Sequence, residues 1–116
     1  GTALLQRHVP NALAMELLSC AQPILSDDIA PSGLFNRLVD REAVLSESLT
    51  IAEVIAGNAP LAVRAARNVV RRSIDLTESE ALQLESEAGA QLSQTKDAVE
   101  GPLAFMEKRS PNFQGK

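Results

Sequence analysis

The sequence predicts an all-α fold, and three observations support this class. Hydrophobic residues make up 45% of the 116 residues, enough for the core of one domain of ordinary size. The only aromatic residues are three Phe, so the core has to be aliphatic, which suits helices better than a β-sandwich. In successive segments apolar residues recur with the 3.6-residue period of a helix, and no series of strands appears.

The first forty residues predict short elements. A helix over residues 11–21 has Asn11 as its candidate cap and is stopped by Pro23. Ser26 is a candidate cap for a helix of one or two turns, and the two aspartates after it are favourable at a helix N-terminus. The segment 34–39 alternates weakly, so we expect it to be extended or a short strand.

Two longer helices follow. The first covers residues 41–56, with Asp40 as its cap and Gly57 as a left-handed end. The second covers 60–74 and has a proline at its first position, where the missing N–H costs nothing.

Capping signals define the last two helices. Thr77 with Glu80 three residues later predicts a capping box, and Thr95 is the candidate cap of the final helix, in which Pro102 predicts a kink or a broken turn. The faces expected to be buried on the four helices are, in order, Val44, Leu45, Ser48, Ile51, Ala52 and Ile55; Ala62, Ala66, Val69, Val70 and Ile74; Ala81, Leu84, Ala88 and Leu92; and Ala98, Val99, Leu103 and Met106. Because alanine-rich faces bury little area, we expect this module to need a partner surface.

The composition argues against several classes of protein. The net charge of −4 is unlike the basic excess of nucleic-acid-binding domains. Cys20 and His8 are the only residues of their types, so neither an intrachain disulfide nor a Cys/His zinc site is expected, and a single thiol fits a reducing, cytoplasmic compartment. No apolar run reaches the roughly 18 residues of a membrane span, and we find no signal peptide. Because the chain begins with Gly1 and not with Met, we expect a processed protein or a fragment.

Two charged clusters have both a functional and a structural interpretation. The first is a row on the helix over 60–74, formed by Arg64, Arg67, Arg71 and Arg72. It could bind phosphate, but a solvated face partly paired with the acidic helix over 78–87 explains it better. The second comprises Glu78, Glu80, Glu85 and Glu87. These could suggest acid–base chemistry or a metal site, yet helix capping and solvation explain them, so we expect no metal ligand and no catalytic residue here.

The remaining polar candidates have weaker support. His8 could serve as a base for Ser19 or Cys20 as nucleophile, but the spacing does not favour this and no third, orienting group is evident. We expect His8 at the surface and Cys20 as a small buried hydrophobic residue. Asp27 and its neighbour are interpreted as helix-start residues in preference to a site.

An ordered set of motifs resembles a known family. The chain ends with TKDAVEG over residues 95–101, AFMEKR over 104–109 and PNF over 111–113. Upstream it contains GTALLQRHV over 1–9, AMELL over 14–18, PILSDDIAPSGLFNRLV over 23–39 and AEVIAGNAP over 52–60. In order and spacing the set resembles the carboxyl-terminal end of the enoyl-CoA hydratase/isomerase family, the crotonases.

The resemblance implies a fold in two parts. In the family an amino-terminal spiral of β-β-α units holds the oxyanion hole and the catalytic pair of glutamates, and a carboxyl-terminal helical part builds the trimer. This chain would be the helical part of that ClpP/crotonase-like fold, lacking the spiral core. Residues 1–40 would link from the core, and residues 41–116 would be the helical oligomerisation domain. No catalytic residue and no metal ligand are then expected in the chain.

The resemblance assigns a binding role to Phe105 and Lys108. In the family the matching Phe and Lys approach the coenzyme A (CoA) of a neighbouring subunit. An aromatic ring can pack on the adenine, and a cation can meet a phosphate. The alternative is that Phe105 is a core residue and Lys108 a solvated cation at a helix end.

The expected function follows from the family. The parent protein would hydrate a 2-enoyl-CoA thioester in fatty acid metabolism as a homotrimer or dimer of trimers. CoA would be part of the substrate, no other cofactor is implied, and neither nucleic acid nor membrane is a partner. The fragment itself is expected to be inactive. Isomerase, hydrolase or dehalogenase chemistry, a non-catalytic helical assembly module, and an unrelated helical bundle with a closed monomeric core are the alternatives.

Overall fold

The computed structural model describes every residue from Gly1 to Lys116 and contains seven α-helices and no β-strand. The predicted all-α class is therefore confirmed. The helices are α1 (Thr2–Leu5), α2 (Asn11–Cys20), α3 (Ser26–Ile29), α4 (Val44–Ala56), α5 (Pro60–Ser73), α6 (Glu78–Leu92) and α7 (Lys96–Glu107), with 3₁₀ turns at Ala30–Ser32 and Arg41–Ala43. Residue contacts divide the chain into two units, Gly1–Leu45 and Ser46–Lys116. The roles predicted for residues 1–40 and 41–116 stay predictions.

The first unit contains short helices whose ends differ from the sequence prediction. Asn11 is the first residue of α2 and not its cap, because Pro10 holds the cap position without a side-chain hydrogen bond. Ser26 is likewise the first residue of α3 and not its cap, because Leu25 holds the cap position. The buried residues of this unit are Val9, Ala14 and Ile29.

Two further predictions in this unit were wrong, those for Cys20 and Asp40. Residues 34–39, expected to be extended or a short strand, form no strand, because no second strand is present to accept their backbone hydrogen bonds. Cys20 is exposed and not buried, since it is the last residue of α2 and lies outside its packed face. Asp40 precedes a 3₁₀ turn and makes no side-chain capping bond.

The second unit contains α4 from Ser46 onward together with α5, α6 and α7, and α5 packs on α6. Pro60 is the first residue of α5, as predicted. The end of α4 differs from the prediction, since Gly57 has no positive φ. Instead, the side-chain amide of Asn58 donates to the carbonyl of Val54 at 3.0 Å and satisfies a helix-end carbonyl.

The predicted capping box opens α6. The hydroxyl of Thr77 accepts from the N–H of Glu80 at 3.4 Å, and the N–H of Thr77 donates to the Glu80 carboxylate at 2.9 Å. The Thr77 hydroxyl also donates to that carboxylate at 2.7 Å. These bonds to the charged form hold the pKa of Glu80 below its ordinary value.

The last helix is capped as predicted but differs from the prediction in burial. Thr95 caps α7, since its hydroxyl accepts from the N–H of Ala98 at 3.2 Å. The helix continues through Pro102, so no turn is broken there, and the kink stays a prediction. Its buried residues are Asp97 and Ala104 and not the predicted apolar face, because the chain after the helix returns to the side that carries Asp97.

Most of the predicted apolar faces are uncovered. Only the face of α6 is at least half-buried along its length, whereas α4 has no buried residue and nineteen large hydrophobic side chains of the chain are exposed. These exposed side chains contradict the unrelated bundle with a closed monomeric core.

No single helix of the chain is long and apolar enough to cross a membrane. The segments Arg41–Ala56 and Pro60–Ser73 reach that length and composition only together, across a bend of 110°.

Candidate functional site at the end of the last helix

The two residues predicted to contact CoA lie together at the carboxyl end of α7. Phe105 is 85% exposed, so it is not a core residue of this chain. Lys108 is exposed and directly follows Glu107, the last helical residue. The structure thus presents an aromatic ring and a cation three positions apart at one helix end.

Lys108 has an unusual backbone conformation. Its φ is 55° and its ψ 38°, in the left-handed region that side chains with a β-carbon disfavour. Its N–H donates to the carbonyls of Ala104 and Phe105, and the N–H of Arg109 reaches back to the carbonyl of Ala104 at 3.0 Å. This pattern is a Schellman motif, with Lys108 at the position where glycine is preferred.

An ion-pair cluster, which we call the arginine clamp, follows Lys108. It consists of Arg109, Glu100, Glu107 and the N–H of Asn112. The Arg109 guanidinium donates to both carboxylate oxygens of Glu100, at 2.6 and 3.0 Å, and through Nε to Glu107 at 2.6 Å. The N–H of Asn112 donates to Glu100 at 2.7 Å. The clamp therefore ties the residue after Lys108 to the middle of α7.

The clamp alters the ionisation of both partners. The hydrogen bonds from Arg109 and then from Asn112 lower the pKa of Glu100 to about 2. The same contact raises the pKa of Arg109 above its ordinary value. Both groups keep their charges throughout the physiological pH range.

A second anchor holds the last residues of the chain. Asp97 is 5% exposed, and its carboxylate accepts from the N–H groups of Gln114 at 2.7 Å and Gly115 at 2.8 Å. The N–H of Lys96 donates to the carbonyl of Lys116 at 2.8 Å. A β-carbon at Gly101 would lie 3.7 Å from the ring of Phe113, so the tail packs closely on α7. Buried Asp97 is thus explained by backbone capture and not by acid–base chemistry.

Other apolar side chains of α7 are exposed as well. Met106 is 79% exposed, Val99 is 67% exposed, and Leu103 is exposed on the same helix. An open depression of about 360 Å³ lies between α7 and the tail. Neither Phe105 nor Lys108 lines this depression, whose lining includes Val99, Glu100 and Leu103.

The other candidates from the sequence do not assemble into a site. The arginine row on α5 is exposed and forms no ion pair with the glutamates of α6, which contradicts the expected partial pairing. Those glutamates are exposed, as is His8. No group of three His, Cys, Asp or Glu side chains is placed to hold a metal ion.

Sequence reasoning missed the supporting residues of this site. The closing motif contains Asp97, Glu100 and Arg109, and none of the three was predicted to have a partner. The spacing of Asp97 and Glu100, three positions apart, places them on neighbouring parts of one helix face and was an available signal. The partners of these two carboxylates could not be inferred, because they follow the helix, where the chain reverses its direction.

Comparisons with known proteins agree with the closing motif. The sequence model described as "Enoyl-CoA hydratase/isomerase" matches residues 1–116. The chain is 36% identical to the protein named Enoyl-CoA hydratase EchA19 of Mycobacterium tuberculosis, covering 100% of this chain and 44% of that protein. It is 31% identical to a Carnitinyl-CoA dehydratase of Proteus mirabilis, covering 100% of this chain and 46% of the relative.

The structural comparison gives the same result. The crystal structure of an Enoyl-CoA Hydratase from Bacillus anthracis matches with a TM-score of 0.95 and 33% identity, over 99% of this chain and 45% of that one. The chain thus spans less than half the length of the relatives it matches, a share consistent with a carboxyl-terminal segment. From the match over all 116 residues, the chain belongs to the enoyl-CoA hydratase/isomerase family.

Proposed function

We propose that the chain is the carboxyl-terminal part of an enzyme that adds water across the double bond of a 2-enoyl-CoA thioester. Within that parent enzyme, Phe105 and Lys108 contact CoA, and the helices contribute to assembly. The observation that carries the proposal is the exposed pair of an aromatic ring and a cation at the end of α7, in a chain whose relatives are named for CoA thioesters.

The chemistry of CoA fits the two side chains. An exposed Phe ring gives the adenine a flat apolar surface, and an ammonium group meets a phosphate as a compact, hydrated cation. Lys108 forms no ion pair with a carboxylate, and the neighbouring Glu100 and Glu107 are engaged by Arg109. Its ammonium group is therefore not one of the paired groups of the clamp.

Catalysis is proposed to lie outside this chain. The acidic residues of α7 are committed to backbone capture or to the clamp, and Glu80 is committed to capping. No pair of free carboxylates converges on a pocket, as hydration with general acid–base catalysis would require. The 116 residues alone are accordingly proposed to be inactive.

The uncovered apolar faces support an assembly role. We propose that the parent is a homotrimer or dimer of trimers, in which these faces meet other parts of the same assembly. The exposed hydrophobic side chains on α4, α5 and α7 supply that surface. The same observation favours a second candidate, a helical assembly module without catalysis of its own.

The reaction type is proposed from the relatives. Hydration is the leading choice, and the relative named Carnitinyl-CoA dehydratase fits this choice, because loss of water from a CoA thioester is the reverse of hydration. Isomerase, hydrolase and dehalogenase chemistry remain alternatives. A cytoplasmic location and a role in fatty acid metabolism belong to the same proposal, as does the absence of any cofactor besides the CoA of the substrate.

Substitution of Lys108 in the parent enzyme tests the proposed contact. Lys108→Ala should raise the KM for crotonyl-CoA about tenfold or more while kcat changes little, because a charge-assisted contact to the nucleotide holds substrate and transition state equally. The crotonyl thioester of N-acetylcysteamine, which lacks the nucleotide, should show no change.

The matched control is Lys96→Ala, which removes a lysine from the other end of α7. An equal KM rise in this control, or an unchanged KM in Lys108→Ala, would refute the contact. Phe105→Ala should also raise the KM for crotonyl-CoA and leave the truncated substrate unaffected.

A further inference from the structure

The left-handed conformation of Lys108 requires an explanation. A Schellman motif normally places glycine at this position, because a β-carbon there meets the following carbonyl oxygen. The motif is also usually closed by a hydrophobic contact from the next residue to the last turn of the helix. Here that next residue is Arg109, a charged residue where a hydrophobic one is usual.

The arginine clamp ties this charged residue to the helix through ion pairs. Glu100 receives two bonds from Arg109 and one from the N–H of Asn112, so it fixes the chain on both sides of residues 110–111. The third guanidinium nitrogen of Arg109, Nε, donates a hydrogen bond to the carboxylate of Glu107. A planar guanidinium held by three oxygens has little freedom, and the residue before it is fixed with it.

The clamp and the tail anchor are separate devices. Asp97 captures the backbone at Gln114 and Gly115, which is sufficient to hold the tail on α7. Glu100 acts at Arg109 and Asn112, directly beside Lys108. A purely structural requirement to dock the tail does not explain why a second, charged device lies next to a disfavoured lysine.

We propose that Glu100 is a positioning residue, which holds Lys108 through Arg109 in the backbone conformation that meets the phosphate of CoA. The inference rests on the proposed contact between Lys108 and CoA. Glu100 itself touches no substrate in this account. Its effect on CoA binding therefore passes entirely through Lys108.

Opening the clamp in the parent enzyme gives the first test. Glu100→Gln removes the charge at nearly constant shape, and Arg109→Lys keeps a cation but loses the bidentate fork. Both should raise the KM for crotonyl-CoA about threefold or more, with kcat unchanged and no effect on the truncated thioester. Glu53→Gln, an exposed glutamate on α4, is the matched control.

Hydrogen exchange on the 116-residue chain shows whether the clamp has opened. The N–H groups of Arg109 and Asn112 should exchange faster in Glu100→Gln, because they lose the geometry that protects them. Faster exchange in a folded variant with an unchanged KM would overturn the inference. If Glu100→Gln fails to fold, the same comparison is made with Arg109→Lys.

A double-mutant cycle separates this inference from the proposed contact. If Glu100 acts through Lys108, then Glu100→Gln adds no further KM rise to Lys108→Ala. A full additional rise in that background would overturn the positioning role and leave the Lys108 contact standing. No KM rise in Lys108→Ala alone would instead refute the proposed contact, and the positioning role with it.

Discussion

At Lys108 the chain keeps a lysine where backbone energetics favour glycine. A residue with a β-carbon in the left-handed region costs about 1–2 kcal/mol. The arginine clamp and the Schellman hydrogen bonds hold this residue in place. Such a position is explained if the ammonium group itself is needed, as in the proposed contact with CoA.

The stabilities of two Lys108 variants test whether the left-handed conformation has an energetic cost. Lys108→Gly should raise the free energy of unfolding of the chain by about 1 kcal/mol relative to Lys108→Ala, since only glycine relieves the left-handed strain. Urea denaturation of the two variants measures the difference. Equal stabilities would mean that the conformation carries no cost.

The ionisation of Glu100 gives a prediction about pH. Its pKa is about 2 in the folded chain and 4.5 ordinarily, so it is ionised in both states above pH 4.5, where its stabilisation is fully present. As the pH falls from 4.5 through about 2, the unfolded chain takes up the proton first and this stabilisation is lost.

The stability difference between the native sequence and Glu100→Gln should therefore be greatest above pH 4.5 and shrink towards pH 2. Urea unfolding at a series of pH values measures it. A difference that does not change between pH 5 and pH 2 would show that the clamp does not hold the carboxylate in solution.

At the scale of elements, local signals predicted the helices well and their packing poorly. The capping box at Thr77 and the proline that starts α5 are determined by neighbouring residues, so the sequence alone located them. The predicted apolar faces of α4 and α7 were mostly exposed, because burial depends on a surface that this chain does not provide. The clamp was missed for a related reason, since Glu100 and Arg109 meet only after the chain reverses.

Removing the cap of α6 tests the local part of this account. Thr77→Ala should lower the free energy of unfolding by about 1 kcal/mol, because the N–H of Glu80 loses its acceptor. Thr50→Ala is the matched control, since Thr50 bonds only to the carbonyl of Ser46 within α4. At position 50 alanine is the better helix former, so this substitution should not lower the free energy of unfolding. Equal losses in the two variants, measured by thermal or urea unfolding, would contradict the capping assignment.

At the scale of the whole molecule, the chain exposes many apolar side chains and matches less than half the length of its relatives. Both observations follow from the proposal that it is a helical portion of a larger assembly. Fold class and family were predictable from the sequence, because periodicity and ordered motifs are local properties of the chain. Which faces are buried was not, because burial depends on contacts between residues that are distant in the sequence.

The proposal divides substrate binding from catalysis: this chain contacts CoA, and the catalytic residues lie outside it. Hydration of crotonyl-CoA by the purified 116-residue chain, with helical folding verified by circular dichroism, tests this division. The account predicts no turnover above the rate in buffer, because the chain presents no free carboxylate pair to activate water. Turnover above that rate, abolished by a substitution within these 116 residues, would contradict it.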